Sequence, residues 1–130
     1  MRRTLDWFKQ ANAFLEDAIK NRDNRSYYLS CFLCHQAAEF GLKALCSSLD
    51  FKCWGHDLFS LINIIKDEKG IVIPEKLEIA CKFLNKYYIS TRYPDAYYSG
   101  APFEQFTEFE ANQAIEFSRV VIDFVRKQVL

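Results

Sequence analysis

Apolar residues recur along most of this chain at helical spacing. From Thr4 to about Arg22, Phe8, Ala11, Leu15, Ala18 and Ile19 fall at i, i+3, i+7, i+10 and i+11, the stripe of an amphipathic helix. Asn21, Asp23 and Asn24 break that pattern, and Ser26 is placed to cap a second, longer helix running to about Leu49. Its apolar residues appear nearly all the way round, which predicts a place in the middle of a bundle. Leu58, Phe59, Leu61, Ile62 and Ile65 predict a short third helix, ended by residues 67–70. Ile71, Val72 and Ile73 have the composition of a strand but are closed at once by Pro74. We read Pro74 as the first residue of a fourth helix, where its missing N–H does no harm, with Leu77, Ala80, Cys81 and Leu84 inward and its end toward Tyr88. Thr107 and Glu110 form a capping box, after which Ala111, Ala114, Ile115, Ser118, Val121, Ile122, Val125 and Val129 repeat with the cleanest helical period in the chain.

The expected fold is therefore all-α: a five-helix, mostly antiparallel up-and-down bundle, because the connections are short. No internal repeat, low-complexity segment or linker divides residues 1–130, so we expect one domain.

Composition narrows the function classes. The 130 residues are 50% apolar and 26% charged, with 17 Lys plus Arg against 17 Asp plus Glu. No global field draws nucleic acid or an anionic membrane to the surface, so any such site must be local. The basic start, Met1 to Thr4, is followed by Asp6, Lys9, Gln10 and Asn12 rather than an apolar core, and no signal peptide is readable. No apolar run approaches the roughly 18–20 residues of a membrane-spanning helix. A cytoplasmic protein with no membrane partner is expected. Its five cysteines, Cys31, Cys34, Cys46, Cys53 and Cys81, are odd in number and lie mostly inside apolar helical patterns, which points to reduced thiols.

Five features do not fit a plain core. On the second helix His35, Gln36, Glu39 and Lys43 share a sector of about 100°, a polar stripe on an otherwise apolar helix. Its simplest reading is an i,i+4 Glu39–Lys43 ion pair at a partly exposed edge. Gly41, in the same helix, suggests close approach of another helix or subunit, since it costs about 1 kcal/mol against Ala. His56 either packs on Trp54 or joins the free N–H groups of the third helix in holding an anion. Cys31-x-x-Cys34 with Cys53-x-x-His56 has the spacing of a zinc site, but Cys31 and Cys34 fall within a helix with no turn to form a knuckle. Buried helix cysteines are the better reading, so no metal and no cofactor are expected. Finally, "STRYPDAYYSGAP" (residues 90–102) holds Arg92, Tyr93, Asp95, Tyr97 and Tyr98 in a stiff loop. The arginine fork suits phosphate and the tyrosine faces suit a base, while a loop that merely covers the bundle end would look the same.

In order and at these distances, "RSYYLSCFLCHQAAEFGLKAL", "WGHDLFSLI" and "STRYPDAYY" resemble the HEPN domain, a small helical nucleotide-binding domain. The resemblance covers most of the chain. It implies a homodimer, frequent pairing with a minimal nucleotidyltransferase as a toxin–antitoxin couple, and, in many relatives, RNA cleavage by an Arg followed four to six residues later by a His. Here that window holds Tyr97, Tyr98 and Ser99, and the histidines, His35 and His56, are both upstream. No catalytic residue is therefore assigned. The resemblance implies a module that binds a nucleotide, RNA or nucleotidyltransferase, with Lys43, His56 and Arg92 toward phosphate, Tyr93, Tyr97 or Tyr98 stacking or packing, and Asp95 orienting Arg92 or the loop. The alternative is a metal-independent ribonuclease in which Arg92 works with a displaced histidine.

Overall fold

The computed structural model describes residues 3–130; Met1 and Arg2, the start of the basic N-terminus, lie outside the described residues. Six α-helices follow in order: α1 (Thr4–Asp23), α2 (Tyr27–Ser48), α3 (Leu58–Lys69), α4 (Glu75–Asn85), the single turn α5 (Tyr87–Ser90) and α6 (Glu108–Val129). Two 3-10 turns, Pro94–Ala96 and Pro102–Glu104, shape the segment between α5 and α6. No strand occurs among the described residues, and the five longer helices are those the apolar periodicity predicts.

The central helix is α2, which touches α1, α3, α4, α5 and α6. This follows from its sequence: Cys31, Cys34, Ala38, Leu42, Leu45 and Cys46 point in several directions and are all buried. Small residues let the neighbours come close. Ala11 and Ala18 of α1 and Ala37, Ala38 and Ala44 of α2 have no exposed surface, and Ser30 Oγ donates to the Ala18 carbonyl at 2.7 Å. Above the alanines, Phe40 fills the α1 side against Trp7 and Phe14, ring centroids 5.1 and 5.0 Å away. α6 also packs on α2 and touches α1 as well, and its Ala111, Ala114, Ile115, Val121, Ile122 and Val125 are all buried. Each large aliphatic so placed contributes roughly 1.5–3 kcal/mol. Gly41 marks a close approach of α6: a Cβ built there would stand 3.3 Å from Ile122 Cδ1 and 3.8 Å from Val125 Cγ2.

Helix ends follow local chemistry, with two departures from the sequence reading. Thr107 caps α6 by accepting from the Glu110 N–H at 3.3 Å, and Gly70 closes α3 in the left-handed conformation at φ 63°. Ser26 occupies the N-cap of α2 without a side-chain bond, its own N–H donating to the Asn21 carbonyl at 2.8 Å. Pro74 stands just outside α4 rather than at its first position, because its ψ of 148° is extended.

The expectation of wholly reduced thiols is corrected: Cys46 and Cys53 form a disulfide, their Cα atoms 6.2 Å apart. After α2 the chain doubles back through Asp50, at φ 63°, and Phe51 donates its N–H to the Cys46 carbonyl. That turn returns Cys53 to the helix end. Cys31, Cys34 and Cys81 remain free and buried. The described residues contain no cluster of His, Cys, Asp or Glu that could hold a metal, and no helix among them is long and apolar enough to cross a membrane.

Candidate functional site

The polar stripe of α2 becomes a site when the segment joining α2 to α3 folds over it. Lys43, one turn beyond Glu39, donates from Nζ to Glu39 Oε2 at 2.9 Å, and His56 donates from Nδ1 to Glu39 Oε1 at 2.8 Å. The i,i+4 pair foreseen from sequence is present, but it is not at an edge: Glu39 is 1% exposed. A carboxylate so buried is tolerable because both oxygens are taken by donors. His35, fully buried beside them, meets the His56 carbonyl through Nε2 at 2.9 Å and the Gln36 side-chain amide through Nδ1 at 3.1 Å. Burial pushes the His35 pKa below its usual 6.5 despite the hydrogen bonds and the nearby Glu39 that oppose this. The ring is thus neutral with Nε2–H donating to the His56 carbonyl, and Nδ1 faces Gln36 Oε1, an amide that has to turn over to donate to it.

His56 is held at its backbone by His35, at Nδ1 by Glu39, and on its face by a third group. Its ring lies on that of Tyr88, centroids 4.2 Å apart and 15° from parallel, so the packing onto Trp54 considered from sequence does not occur. Nor do free N–H groups of α3 await an anion. Asp57 Oδ1 accepts from Phe59 N–H at 3.0 Å and from Asn85 Nδ2 at 2.8 Å, filling the helix terminus with its own carboxylate. Burial alone would raise the Asp57 pKa, but its bonds from Asn85, Ser60 and Phe59 hold it below 3.8. What His56 does offer is Nε2. The side chain is 49% exposed, and Nε2 has no hydrogen-bond partner among the described residues. With the Nδ1 proton fixed on Glu39, a neutral His56 presents a lone pair at Nε2, and a protonated one presents an N–H.

Tyr88 also carries Arg92. These residues stand one turn apart, and Arg92 Nε donates back to the Tyr88 carbonyl at 2.8 Å, joined there by Nη2. The guanidinium carbon lies 4.4, 4.8 and 5.0 Å from the ring centroids of Tyr88, Phe32 and Tyr93, a cation in a nest of three aromatic faces. Lys43, Glu39, His56, Tyr88, Arg92 and Tyr93 therefore form one unbroken series of contacts. Asp95 and Tyr97 stand outside it. Asp95 is exposed on the Pro94–Ala96 turn, whereas Tyr97 turns inward, edge-on to Phe106 at 6.3 Å, and burial raises its hydroxyl pKa. Lys43 is only 14% exposed in its side chain and is committed to Glu39. Sequence reasoning missed Tyr88 as the link and Phe32 beneath Arg92; the i,i+4 spacing of Tyr88 and Arg92 was the available signal.

The class of protein that this bundle and its α2 stripe define is a small helical domain with a histidine and an arginine gathered at one end. Residues 4–128 match the HEPN domain family, and the chain belongs to that family. It is similar to the solved structure of TT1696 from Thermus thermophilus, with a TM-score of 0.94 and 35% identity over 98% of this chain and 99% of that one. It is also similar to ST0689, described as an archaeal HEPN homologue, with a TM-score of 0.84 and 34% identity over the whole of both chains. A HEPN domain protein from Thermotoga maritima, tm0613, shares the fold at a TM-score of 0.75 and 24% identity, over 94% of this chain and 95% of that one. Among curated proteins there is no match.

Proposed function

We propose that this chain is a HEPN-type binding module that holds the phosphate of a nucleotide or RNA between His56 and Arg92, acts as a homodimer, and works with a minimal nucleotidyltransferase. The observation that supports it is the fixed placement on one ring of two groups able to donate to a phosphate: His56 on Tyr88 at 4.2 Å and Arg92 at 4.4 Å. Arg92 keeps Nη1 without a hydrogen-bond partner among the described residues, and His56 keeps Nε2. Tyr93, half exposed beside Arg92, offers a face for a base. Exposed Ile89, Tyr98 and Phe103 on the same stretch of chain supply apolar surface for a second copy. The nucleotidyltransferase rests on the family alone.

Titration of a labelled RNA oligonucleotide and of common nucleotides tests the ligand. Wild type should bind, and Arg92→Ala should weaken binding about tenfold or more, the loss of one charge-assisted bond. No binding by the protein, alone or with its nucleotidyltransferase, overturns the reading. Light scattering checks the dimer.

One observation favours a second reading, the ribonuclease. Glu39 fixes the tautomer and direction of His56 much as a general base is oriented by a carboxylate. On that reading RNA is cleaved, and His56→Ala and Arg92→Ala each abolish cleavage; undiminished cleavage in both assigns the activity to a contaminant.

A further inference from the structure

The disulfide lies at the start of the segment that carries His56. Cys46 lies in the last turn of α2, and Cys53 precedes His56 by three residues. Between α2 and α3 the chain is thus tied to α2 twice, by the S–S bond at Cys53 and by the His35 and Glu39 contacts at His56. Trp54 and Gly55, the latter at φ 87°, join the two ties.

Of the two bridged cysteines Cys46 is 1% exposed and Cys53 9%, and Cys53 alone reaches the wall of a cleft of about 570 Å³, lined by Arg3, Lys43 and Lys52 and the indoles of Trp7 and Trp54. Asp50 is the one carboxylate among its lining residues. Arg3 is already paired with Asp6 and Lys43 with Glu39, each at 2.9 Å, so attraction of an anion and stabilisation of a departing thiolate rest mainly on Lys52, and both effects speed exchange. The free cysteines have the opposite setting. Burial pushes the Cys31 and Cys81 thiols up to about 12 and raises Cys34 as well, so they are poor participants in exchange.

We propose that Cys46–Cys53 is a thiol–disulfide exchange site for a small anionic thiol bound in the Arg3, Lys43 and Lys52 cleft, and that its reduction releases the segment carrying His56. The thiolate attacks Cys53 Sγ, the S–S bond breaks, and Cys46 Sγ leaves with the electron pair and takes up a proton. A second thiolate attacks the sulfur of the bound thiol, and Cys53 leaves as a thiolate beside Lys52. Two small thiols are thereby oxidised to one disulfide while the protein gains two thiols. Lys43 joins the cleft to the site, because it lines the one and is bonded to Glu39 in the other.

The tests need no nucleic acid, so their failure is distinct from that of the proposed function. In air-exposed protein, denatured without reductant, three of the five cysteines should titrate as thiols; five would overturn the proposal. Reduction rates should then be compared for mercaptopropionate, mercaptoethanol and cysteamine, each corrected for its thiolate concentration. The anion should react several-fold faster than the neutral thiol and the cation slowest, with the order flattened in Lys52→Gln and in high salt. Equal rates, or a fastest cation, would overturn the anionic site. Finally, the Nδ1 proton of His56 should give a protected NMR signal in the oxidised protein and lose protection on reduction; an unchanged signal would overturn the release. A Cys46→Ser, Cys53→Ser variant should match the reduced form, and if it fails to fold, reduced wild type supplies the same reading.

Discussion

The imidazole of His56 and the phenol ring of Tyr88 lie face to face, 4.2 Å between centroids and 15° from parallel, although the residues come from separate segments of the chain. Because Tyr88 also supports Arg92, the separation of His56 and Arg92 is bounded by the two short distances to that ring.

Removing the ring should therefore disturb both groups at once. Tyr88→Leu is expected to weaken RNA or nucleotide binding by about five- to tenfold, from stacking and cation–π contacts worth on the order of 1 kcal/mol. Tyr88→Phe, which keeps the face, should bind nearly as wild type. Titration of both variants checks this, and equal losses would show that the hydroxyl rather than the face matters.

Two donors, Lys43 and His56, depend on the buried carboxylate of Glu39. Glu39→Gln should destabilise the fold by about 3 kcal/mol in denaturant unfolding, leaving Lys43 without its counter-charge. Lys43→Met in the Glu39→Gln background should recover part of that loss. A double variant no more stable than the single one would place the cost elsewhere.

The neutral ring of His35 makes stability pH-dependent. The unfolded chain takes up a proton near 6.5, while burial holds the folded ring below that value. Its contribution is thus fully present above 6.5 and declines as pH falls through the folded pKa. The difference in unfolding free energy between wild type and His35→Gln should shrink on acidification below 6.5. A difference independent of pH would mean that His35 does not titrate with folding.

Two positions along α2 and α6 should respond in informative ways. Ser118 Oγ is buried with no hydrogen-bond partner among the described residues, so Ser118→Ala should stabilise by about 1 kcal/mol. Gly41→Ala sets a helix-propensity gain of about 1 kcal/mol against a contact of 3.3 Å with a terminal methyl, and should stay within about 1 kcal/mol of wild type. Gly41→Leu has no such space and should unfold the protein. Thermal and denaturant midpoints of the three variants measure these effects.

Helical periodicity carried most of the fold because the helices around α2 each bury one coherent face. In α6 every stripe residue from Ala111 to Val125 is buried, and α2 was legible as the centre because its apolar residues face every way. Pro74 was misplaced by one residue, since sequence does not show which side of the helix boundary its ψ will take. At the site, polar residues on an apolar helix announced themselves, and Glu39–Lys43 pairs as spacing predicts. The bond from His56 to Glu39, 17 residues apart, depends on the path of a loop that has no period to read. The disulfide was hidden for the same reason: Cys46 looks like any buried helix cysteine until the turn at Asp50 brings Cys53 back.

The cleft beside that disulfide has a consequence for spectroscopy. The chain has two tryptophans, and Trp7 and Trp54 both line this one cleft. Emission excited selectively through indole therefore originates at this single place, next to a sulfur–sulfur bond able to quench it, and the protein carries an intrinsic optical reporter of whatever happens there.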